Sequence, residues 1–323
     1  MRAVYVEAAN PSDPLSALVV GTRPDPPATD GWSRVRVRAS SLNHHDLWSL
    51  KGVGLPPERM PMILGTDAAG TTEDGRDVLV HAVIPSPGWQ GDETLDPKRS
   101  LLSELHQGTL AEWVSVPTAN LVDKPEWLGF AEASCLPTAW LTAYRMLTRD
   151  AGLPAGGGGT VLVQGASGGV ASAAIALAHA LGHRVWVTAR SERKRDFASQ
   201  LGADQAFEPG ARLPERVDAV METVGQATWS HSLKSLRPGG SVVVCGATSG
   251  PNPPADLSRV FFLQLRIIGS TMGNRSEFAD LIGLLERSDV RPTIDRVLPL
   301  ERADEAFTAL DSGEVLGKIV LTP

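Results

Sequence analysis

The sequence predicts an α/β protein in which a β-rich part of the chain is joined to a doubly wound parallel sheet. Its 323 residues are too many for one ordinary hydrophobic core, which indicates two domains. Residues 1–125 carry the alternating pattern of strands. After residue 130, helical patterns alternate with short runs of valine and isoleucine, which is typical of βαβ units.

Composition narrows the class of protein. Hydrophobic residues make up 42% of the chain and charged residues 21%, as in soluble globular proteins. A net charge of -7 gives no reason to expect nucleic acid or a membrane as partner. The N-terminus has no signal-peptide pattern and no apolar run could span a bilayer, so we expect a cytoplasmic protein. Two isolated cysteines, Cys135 and Cys245, exclude a disulfide framework and a thiolate-cage zinc site.

The first part of the chain contains three clear strand patterns. WSRVRVRAS (32–40) alternates with period two, and DVLVHAVI (77–84) and LAEWVSV (110–116) resemble it. Residues 85–109 are polar and rich in proline and glycine, and strand-like sequence resumes after them. We therefore expect a loop or lobe there.

The second part begins with a predicted helix, FAEASCLPTAWLTAYRMLTRDAG, with Pro137 near its middle. Predicted helices then lie at 168–181, 192–201, 228–236, 256–265 and 277–288, with a short one near 301–311. The predicted strands between and after them are TVLVQ, RVWVTA, ADQAF, VDAVMETV, SVVVCG, RIIGS and GKIVLT.

The stretch GASGGVASAA (165–174) follows an apolar strand and begins a helix of small residues. Gly165 allows a tight turn, and Gly168 lets a pyrophosphate approach the backbone at the helix N-terminus. The spacing G-x-x-G-x-x-A departs from G-x-G-x-x-G, and a tight turn in any α/β protein is the alternative interpretation. The predicted pyrophosphate contacts are Gly165, Ser167, Gly168, Gly169 and Val170.

The end of the next predicted strand indicates which dinucleotide binds. Sites that prefer NAD usually carry Asp or Glu there, to accept hydrogen bonds from the ribose hydroxyls. This chain instead has Arg190, Ser191 and Lys194, which suit a 2′-phosphate. The sequence therefore predicts NADPH as the cofactor. A helix N-cap at Ser191 in a solvated basic helix start is the alternative.

Two later strands also end on small or polar residues. METVG (221–225) and VVCGATSG (243–250) are typical of strand ends that line the ligand crevice of a doubly wound sheet. This predicts that Cys245, Gly246 and Ala247 lie near the nicotinamide. For Cys245 we prefer a buried strand cysteine to a reactive thiol.

The chain resembles the medium-chain dehydrogenase/reductase superfamily, in particular its zinc-free quinone oxidoreductase branch. Six motifs occur in the family's order: SSLNHHDLW (40–48), PMILGTDAAG (61–70), LPTAWLTAYRML (136–147), GASGGVASAA (165–174), LRPGGSVVVCGATSG (236–250) and GKIVL (317–321). The resemblance implies a Rossmann domain (128–271) inserted in a β-rich, GroES-like catalytic domain (1–127), with a C-terminal return (272–323). It also implies a homodimer paired through RIIGS, the last strand of the Rossmann sheet.

Zinc-containing alcohol dehydrogenases of this superfamily hold a catalytic metal with a Cys, a His-Glu pair and a second Cys. The resemblance places Asn43, Thr66, Asp67 and Thr138 at those positions, and Asn and Thr are poor zinc ligands. The lobe that holds a four-cysteine structural zinc corresponds to residues 85–109, which contain no cysteine. We therefore expect no zinc, and hydride transfer to an activated acceptor such as a quinone or a conjugated enone.

The motif NHHDLW (43–48) supplies candidates for proton transfer. Asn43 suits a helix N-cap, with Asp46 as its capping partner. The resemblance places Asn43 beside the nicotinamide, His44 against the pyrophosphate and His45 at the position of a proton-relay hydroxyl. Histidine titrates near neutrality, so His45 can protonate an enolate or quinol oxygen. A surface histidine pair at a helix start is the alternative.

Asn43, His45 and Asp67 are the predicted catalytic residues, with Asp67 either orienting His45 or being a satisfied polar group. Lys318 resembles a cofactor-side lysine, although a surface lysine at a strand start would give the same pattern. Thr138 and Thr142 are further predicted cofactor contacts. The predicted function is a zinc-independent, NADPH-dependent quinone or enone oxidoreductase. The alternatives are a zinc-free alcohol or aldehyde reductase and a non-catalytic NADPH-binding sensor.

Overall fold

Two compact units make up the chain. In the computed structural model, which describes residues 1–323, the first unit comprises Met1–Ala139, Asn274–Ala279 and Pro292–Pro323. The second comprises Trp140–Gly273 and Asp280–Arg291. The first unit is therefore assembled from segments that are distant in sequence. The domain boundaries expected from the sequence stay predictions.

The first unit is built mainly from strands. They are β1 (Arg2–Val6), β2 (Leu18–Thr22), β3 (Trp32–Ser41), β4 (Met62–Ile63), β5 (Ala68–Thr72), β6 (Asp77–Val80), β7 (Val83–Ile84), β8 (Ser100–Leu101), β9 (Trp113–Pro117), β10 (Leu121–Asp123), and, after the second unit, β17 (Ile294–Pro299) and β18 (Lys318–Thr322). Its largest sheet has the order β10-β6-β5-β3-β18-β17, and β9 also pairs with β3. In β3, Val35, Val37 and Ala39 are buried on one face, which confirms the predicted period-two strand.

The second unit is built around a six-stranded sheet. Its strands are β11 (Thr160–Gln164), β12 (Arg184–Thr188), β13 (Gln205–Phe207), β14 (Val217–Glu222), β15 (Leu236–Val244) and β16 (Arg266–Gly269). They lie in the order β13-β12-β11-β14-β15-β16, and all neighbours are parallel. This is the doubly wound strand order of dinucleotide-binding domains, so the predicted fold class is confirmed.

Nine α-helices accompany the sheets. They are α1 (His44–Leu50), α2 (Phe130–Ala133), α3 (Leu141–Arg145), α4 (Gly169–Ala180), α5 (Glu192–Gln200), α6 (Gln226–Ser235), α7 (Leu257–Phe262), α8 (Arg275–Ser288) and α9 (Ala303–Ser312). The longest, α8, has 14 residues. None of the helices combines the length and the apolar character needed to cross a bilayer.

Each unit has its own hydrophobic core. In the first unit, Leu47 and Leu50 of α1 and Phe307 of α9 pack in one cluster with Ile319 of β18. In the second, Leu162 of β11 packs with Trp186 of β12 and neighbours from β14 and β15. Burying one such side chain contributes about 2 kcal/mol, so these clusters hold the strand ends that carry the candidate site.

The structure differs from the sequence prediction around Pro137. Instead of one helix, α2 is followed by a π-helical turn at Leu136–Trp140, then α3, then a second π-helical turn at Met146–Asp150. Proline has no backbone N–H and cannot continue the regular ladder of an α-helix. Two strand predictions also change: DVLVHAVI forms two strands, β6 and β7, and β15 begins at Leu236 rather than at Ser241.

Candidate functional site

The turn after β11 contains two glycines with different roles. Gly165 has a φ of +87°, a left-handed value that glycine adopts without strain. Gly168 has φ -72° and ψ 160°, which any residue adopts at a helix N-cap. A Cβ added to Gly168 would meet no atom within 4 Å. Gly165 is therefore required by the backbone, whereas nothing in the protein itself requires glycine at 168.

Open space lies in front of the first turn of α4. Gly168 is the N-cap of this helix, makes no side-chain cap hydrogen bond and is exposed. The first N–H groups of a helix, here from Gly169 and Val170, lack intrahelical partners and carry the positive end of the dipole. Ser167 is buried in the same turn. These features fit a pyrophosphate held by backbone groups.

The carboxyl end of β12 presents basic and polar groups. Arg190 and Ser191 are exposed, and Ser191 is the N-cap of α5 without a side-chain cap hydrogen bond. Ser191 therefore occupies the N-cap position of the alternative interpretation, but its hydroxyl does not cap the helix. Lys194 is buried in the first turn of α5. No carboxylate is present in residues 188–191.

The ends of β11, β14 and β15 lie side by side. Thr223 donates from Oγ1 to the Gln164 carbonyl at 3.1 Å, and the Cys245 amide donates to the Glu222 carbonyl at 3.1 Å. Cys245, Gly246 and Ala247 thus follow a strand end adjacent to the glycine turn. Burial and the nearby Glu222 carboxylate raise the pKa of Cys245 to about 12, so its thiol keeps its proton at neutral pH. Thr142 is buried in α3.

In the first unit, Asn43 begins α1 at the N-cap position. Its backbone amide donates to Asp46 Oδ2 at 2.8 Å, which is one half of a capping box. The Asn43 side chain makes no cap hydrogen bond and instead donates from Nδ2 to Asp67 Oδ2 at 2.8 Å and to Thr66 Oγ1 at 3.1 Å. The sequence predicted the position of this residue but not the direction of its side chain.

Lys318 enters the same cluster from β18. Its Nζ donates to Asn43 Oδ1 and to the Leu42 carbonyl, both at 2.6 Å, and lies 3.5 Å from Asp67 Oδ2. Lys318 is 3% exposed and Asp67 is fully buried. Lys318 is therefore no surface lysine. Its ammonium neutralises a buried carboxylate, because an unpaired charge there would be costly.

The cluster also includes the first π-helical turn. Thr66 Oγ1 and Thr138 Oγ1 are 3.0 Å apart, and Thr138 lies in the first π-helical turn. Ser41 donates from Oγ to Asp67 Oδ2 at 2.8 Å. The structure thus unites Asn43, Asp67, Thr138 and Lys318, which come from four distant parts of the sequence.

His45 has a partner that the sequence does not predict. Its Nε2 lies 3.0 Å from Glu104 Oε1, in the predicted lobe, whereas its Nδ1 is buried without a hydrogen-bond partner. Burial alone would lower the pKa of His45, but the hydrogen bond to Glu104 and the charges of Asp46, Glu104 and Asp67 outweigh it and raise that pKa above its ordinary value. His44, by contrast, is exposed.

Comparisons with known proteins agree with this architecture. Residues 29–126 match the family described as "Alcohol dehydrogenase GroES-like domain", and residues 169–287 match the one described as "Zinc-binding dehydrogenase". A solved structure described as an NAD-dependent alcohol dehydrogenase superposes with a TM-score of 0.91, at 33% identity and with 100% of both chains covered. A parallel sheet with a glycine turn, joined to a GroES-like domain, defines a class of dinucleotide-dependent oxidoreductases.

Curated relatives match over nearly the whole chain. A zinc-type alcohol dehydrogenase-like protein of Schizosaccharomyces pombe is 30% identical over 89% of this chain and 89% of its own length. An acryloyl-coenzyme A reductase of Sulfurisphaera tokodaii is 29% identical (93% and 95%), and a chloroplast envelope quinone oxidoreductase homolog of Arabidopsis thaliana is 30% identical (90% and 89%). The chain belongs to the medium-chain dehydrogenase/reductase superfamily of oxidoreductases.

One of the two family descriptions implies a zinc ion. The residues that the resemblance places at a catalytic zinc site do not fit this ion; they are Asn43, Thr66, Asp67 and Thr138. These residues offer an amide, two hydroxyls and one carboxylate, whereas protein zinc sites are built from thiolate, imidazole and carboxylate ligands, and one carboxylate does not hold the metal alone. One atom, Asp67 Oδ1, lacks a hydrogen-bond partner, but the carboxylate already has the Lys318 ammonium beside it. A second cation there would face that ammonium at short range in a buried site. Nor do three His, Cys, Asp or Glu side chains come together elsewhere as a metal site.

Proposed function

We propose that the protein is a zinc-independent, NADPH-dependent oxidoreductase that transfers hydride to a quinone or a conjugated enone. The observation that carries the proposal is the buried Lys318 ammonium, hydrogen-bonded to Asn43, which the resemblance places at the position of a catalytic zinc ligand. Without a Lewis acid to polarise an unactivated carbonyl, the chemistry that remains is hydride transfer to an acceptor that is already electron-poor. Relatives described as a quinone oxidoreductase homolog and an acryloyl-coenzyme A reductase support this class of acceptor.

NADPH is the proposed cofactor, and it supplies the hydride. The space in front of Gly168 fits a pyrophosphate, and exposed Arg190 and Ser191 fit a 2′-phosphate at the end of β12. One similar solved structure is described as NAD-dependent. We propose NADPH for this chain because it offers a cation, and no carboxylate, where an NAD site usually has an acid.

The chain's own residues handle the proton. We propose that His45, held by Glu104, gives a proton to the enolate or quinol oxygen that hydride transfer creates. Its raised pKa makes the protonated imidazole more abundant near neutral pH than in an ordinary histidine. Asn43 and Asp67 stabilise the arrangement of the site, since both are buried and hydrogen-bonded to each other.

The first test is an acceptor screen on chelator-treated, metal-analysed enzyme. We expect NADPH oxidation with menadione or methyl vinyl ketone and almost none with saturated aldehydes. Turnover that needs added zinc, or a preference for saturated aldehydes, would overturn the proposal in favour of an alcohol or aldehyde reductase. NADPH binding without turnover of any acceptor would identify a sensor instead.

The proton donor is tested by Glu104→Gln. Loss of the carboxylate removes the hydrogen bond and the charge that raise the pKa of His45, so that pKa falls. Because the imidazolium is the active form, kcat declines as pH rises through the His45 pKa. The alkaline limb of the kcat profile should therefore move to lower pH in the variant. In a His45→Ala background, Glu104→Gln should change nothing further, and an unshifted profile in the single variant would contradict this role for Glu104.

We also propose that the protein is a homodimer paired through β16. This strand has a neighbour on one side only, β15, and Ile267 within it is 46% exposed. The preceding helix α7 exposes Leu257, Phe261 and Phe262, the last at 78%. An open strand edge beside an apolar helix suits pairing with an identical edge. Sedimentation should give a dimer for the intact protein and a monomer for Phe262→Asp, and an intact protein that is monomeric at micromolar concentration would refute the pairing.

A further inference from the structure

We propose that the hydroxyl of Thr138 donates a hydrogen bond to the carbonyl oxygen of the acceptor, and that Lys318 orients this donor through Asn43 and Thr66. The inference rests on the proposed function, because it needs an acceptor whose carbonyl oxygen gains negative charge. Thr138 thereby contacts the substrate, whereas the sequence predicts it as a cofactor contact. The Thr138 hydroxyl thereby takes the role of a metal whose ligands this chain lacks.

The direction of the hydrogen bonds starts at Lys318. An ammonium group can only donate, so the Asn43 atom at 2.6 Å from Nζ must be the acceptor oxygen. The Asn43 amide is thereby fixed, with both Nδ2 hydrogens turned away from the lysine. One is donated to Asp67 and the other to Thr66. The hydrogen bond between Asn43 and Thr66 therefore runs from Asn43 Nδ2 to Thr66 Oγ1.

Thr66 passes the direction on. Its side chain is buried, with 2% of the residue exposed, and its oxygen already accepts from Asn43. A buried hydroxyl hydrogen needs an acceptor, and Thr138 Oγ1 lies 3.0 Å away. Thr66 thus donates to Thr138. Hydrogen bonds arranged in one direction polarise one another, so the cationic end at Lys318 strengthens the donor at the other end.

Thr138 is the open end of this series. It accepts from Thr66, which leaves its own hydroxyl hydrogen to give, and unlike Asn43, Thr66 and Asp67 it is partly exposed. It also lies in the π-helical turn Leu136–Trp140, and such turns occur frequently at functional sites. A polarised donor at the accessible end of a buried cluster suits an oxygen on which negative charge develops.

Reduction of the enone requires one hydride and one proton. Bound NADPH would supply a hydride that forms a C–H bond at the β-carbon of the enone, and the carbon–carbon π pair would shift toward the carbonyl to leave an enolate. Thr138 donates a hydrogen bond to the enolate oxygen and keeps its proton. His45 gives one proton to the enolate oxygen and regains a proton from solvent, and the resulting enol tautomerises to the saturated ketone. The enone is reduced by two electrons, and NADPH is oxidised to NADP⁺.

The test compares variants with methyl vinyl ketone as acceptor. Thr138→Val keeps the shape and removes the hydroxyl, and it should lower kcat about 100-fold, the effect of losing one oxyanion donor. Thr138→Ser restores the hydroxyl and should recover most of that loss. Thr66→Val should lower kcat less, and Thr66→Val with Thr138→Val should lose no more than Thr138→Val alone, because Thr66 acts through Thr138.

Binding of NADPH, measured by tryptophan fluorescence, separates the outcomes. We expect unchanged affinity in Thr138→Val. If the variant keeps the wild-type kcat, or loses NADPH affinity instead, Thr138 does not serve the substrate and the inference is overturned while the proposed function stands. If the wild-type enzyme reduces neither enones nor quinones, the proposed function fails, and the inference fails with it.

Discussion

The glycine turn after β11 and the buried cluster around Asp67 differ in how their polar groups are satisfied. At Gly168 the protein leaves space and unpaired helix N–H groups, and it places no side chain there. Around Asp67 the protein does the reverse, since Ser41, Asn43 and Lys318 all direct hydrogen atoms at one carboxylate oxygen. Under the proposed function a ligand completes the first region, whereas the polar groups of the second region already satisfy one another.

This contrast teaches how each region should respond to mutation. In a region whose open groups are satisfied by a ligand, a substitution at an unstrained position lowers the affinity for that ligand and leaves the free energy of unfolding unchanged. In a region whose groups satisfy one another, a substitution leaves a buried polar group unsatisfied and lowers the free energy of unfolding. Substitutions in the two regions therefore separate binding from stability.

The largest effect is expected at Lys318. Lys318→Met leaves the Asp67 carboxylate buried without its cation and frees Asn43 Oδ1, so we expect the free energy of unfolding to fall by about 3 kcal/mol. Urea denaturation at neutral pH measures it. Lys234→Met, at an exposed position on α6, is the matched control and should stay within about 0.5 kcal/mol of wild type. An equal urea midpoint for Lys318→Met and wild type would mean that the cluster is not held by its cation.

A second effect is expected at the glycine turn. Gly168→Asp places a favoured N-cap residue at the start of α4, so stability should stay the same or rise. The carboxylate would fill the open space and repel the pyrophosphate, and NADPH affinity should fall at least ~100-fold, or ~2.7 kcal/mol. Gly165→Ala should instead lower the free energy of unfolding by about 1 kcal/mol, because alanine is strained at a φ of +87°. If Gly168→Asp binds NADPH as tightly as the wild type, the proposed cofactor role of this turn is contradicted.

The same contrast explains which parts the sequence could predict. The glycine turn and the helix after it depend on neighbours in the chain, and α4 spans Gly169–Ala180 where the sequence predicted 168–181. Local signals failed where the backbone is irregular, as in the π-helical turns near Pro137. They also failed for β17, a strand not predicted at all, whose burial along Ile294–Pro299 does not alternate.

The chemistry of the first unit depends on contacts that no local pattern encodes. Lys318 and Asn43 are 275 residues apart, and His45 and Glu104 are 59 apart. The residue types at 43, 45, 67 and 318 were identified through resemblance to a family, but a resemblance does not say which atom bonds to which. Glu104 carried no signal, because one carboxylate in a polar loop usually faces solvent.

The smallest effect is expected at the end of β12. Arg190→Ala removes one exposed cation, and we expect NADPH affinity to fall about 10-fold, or ~1.4 kcal/mol, with NADH affinity unchanged. Arg193→Ala is the matched control, because Arg193 is also exposed but lies in the first turn of α5, on a face that we assign to solvent. Fluorescence titration of both variants with both dinucleotides gives the four affinities. Equal losses for NADPH and NADH would show that Arg190 contributes general positive charge and does not read the 2′-phosphate, and the distinction would then have to come from Ser191 or Lys194.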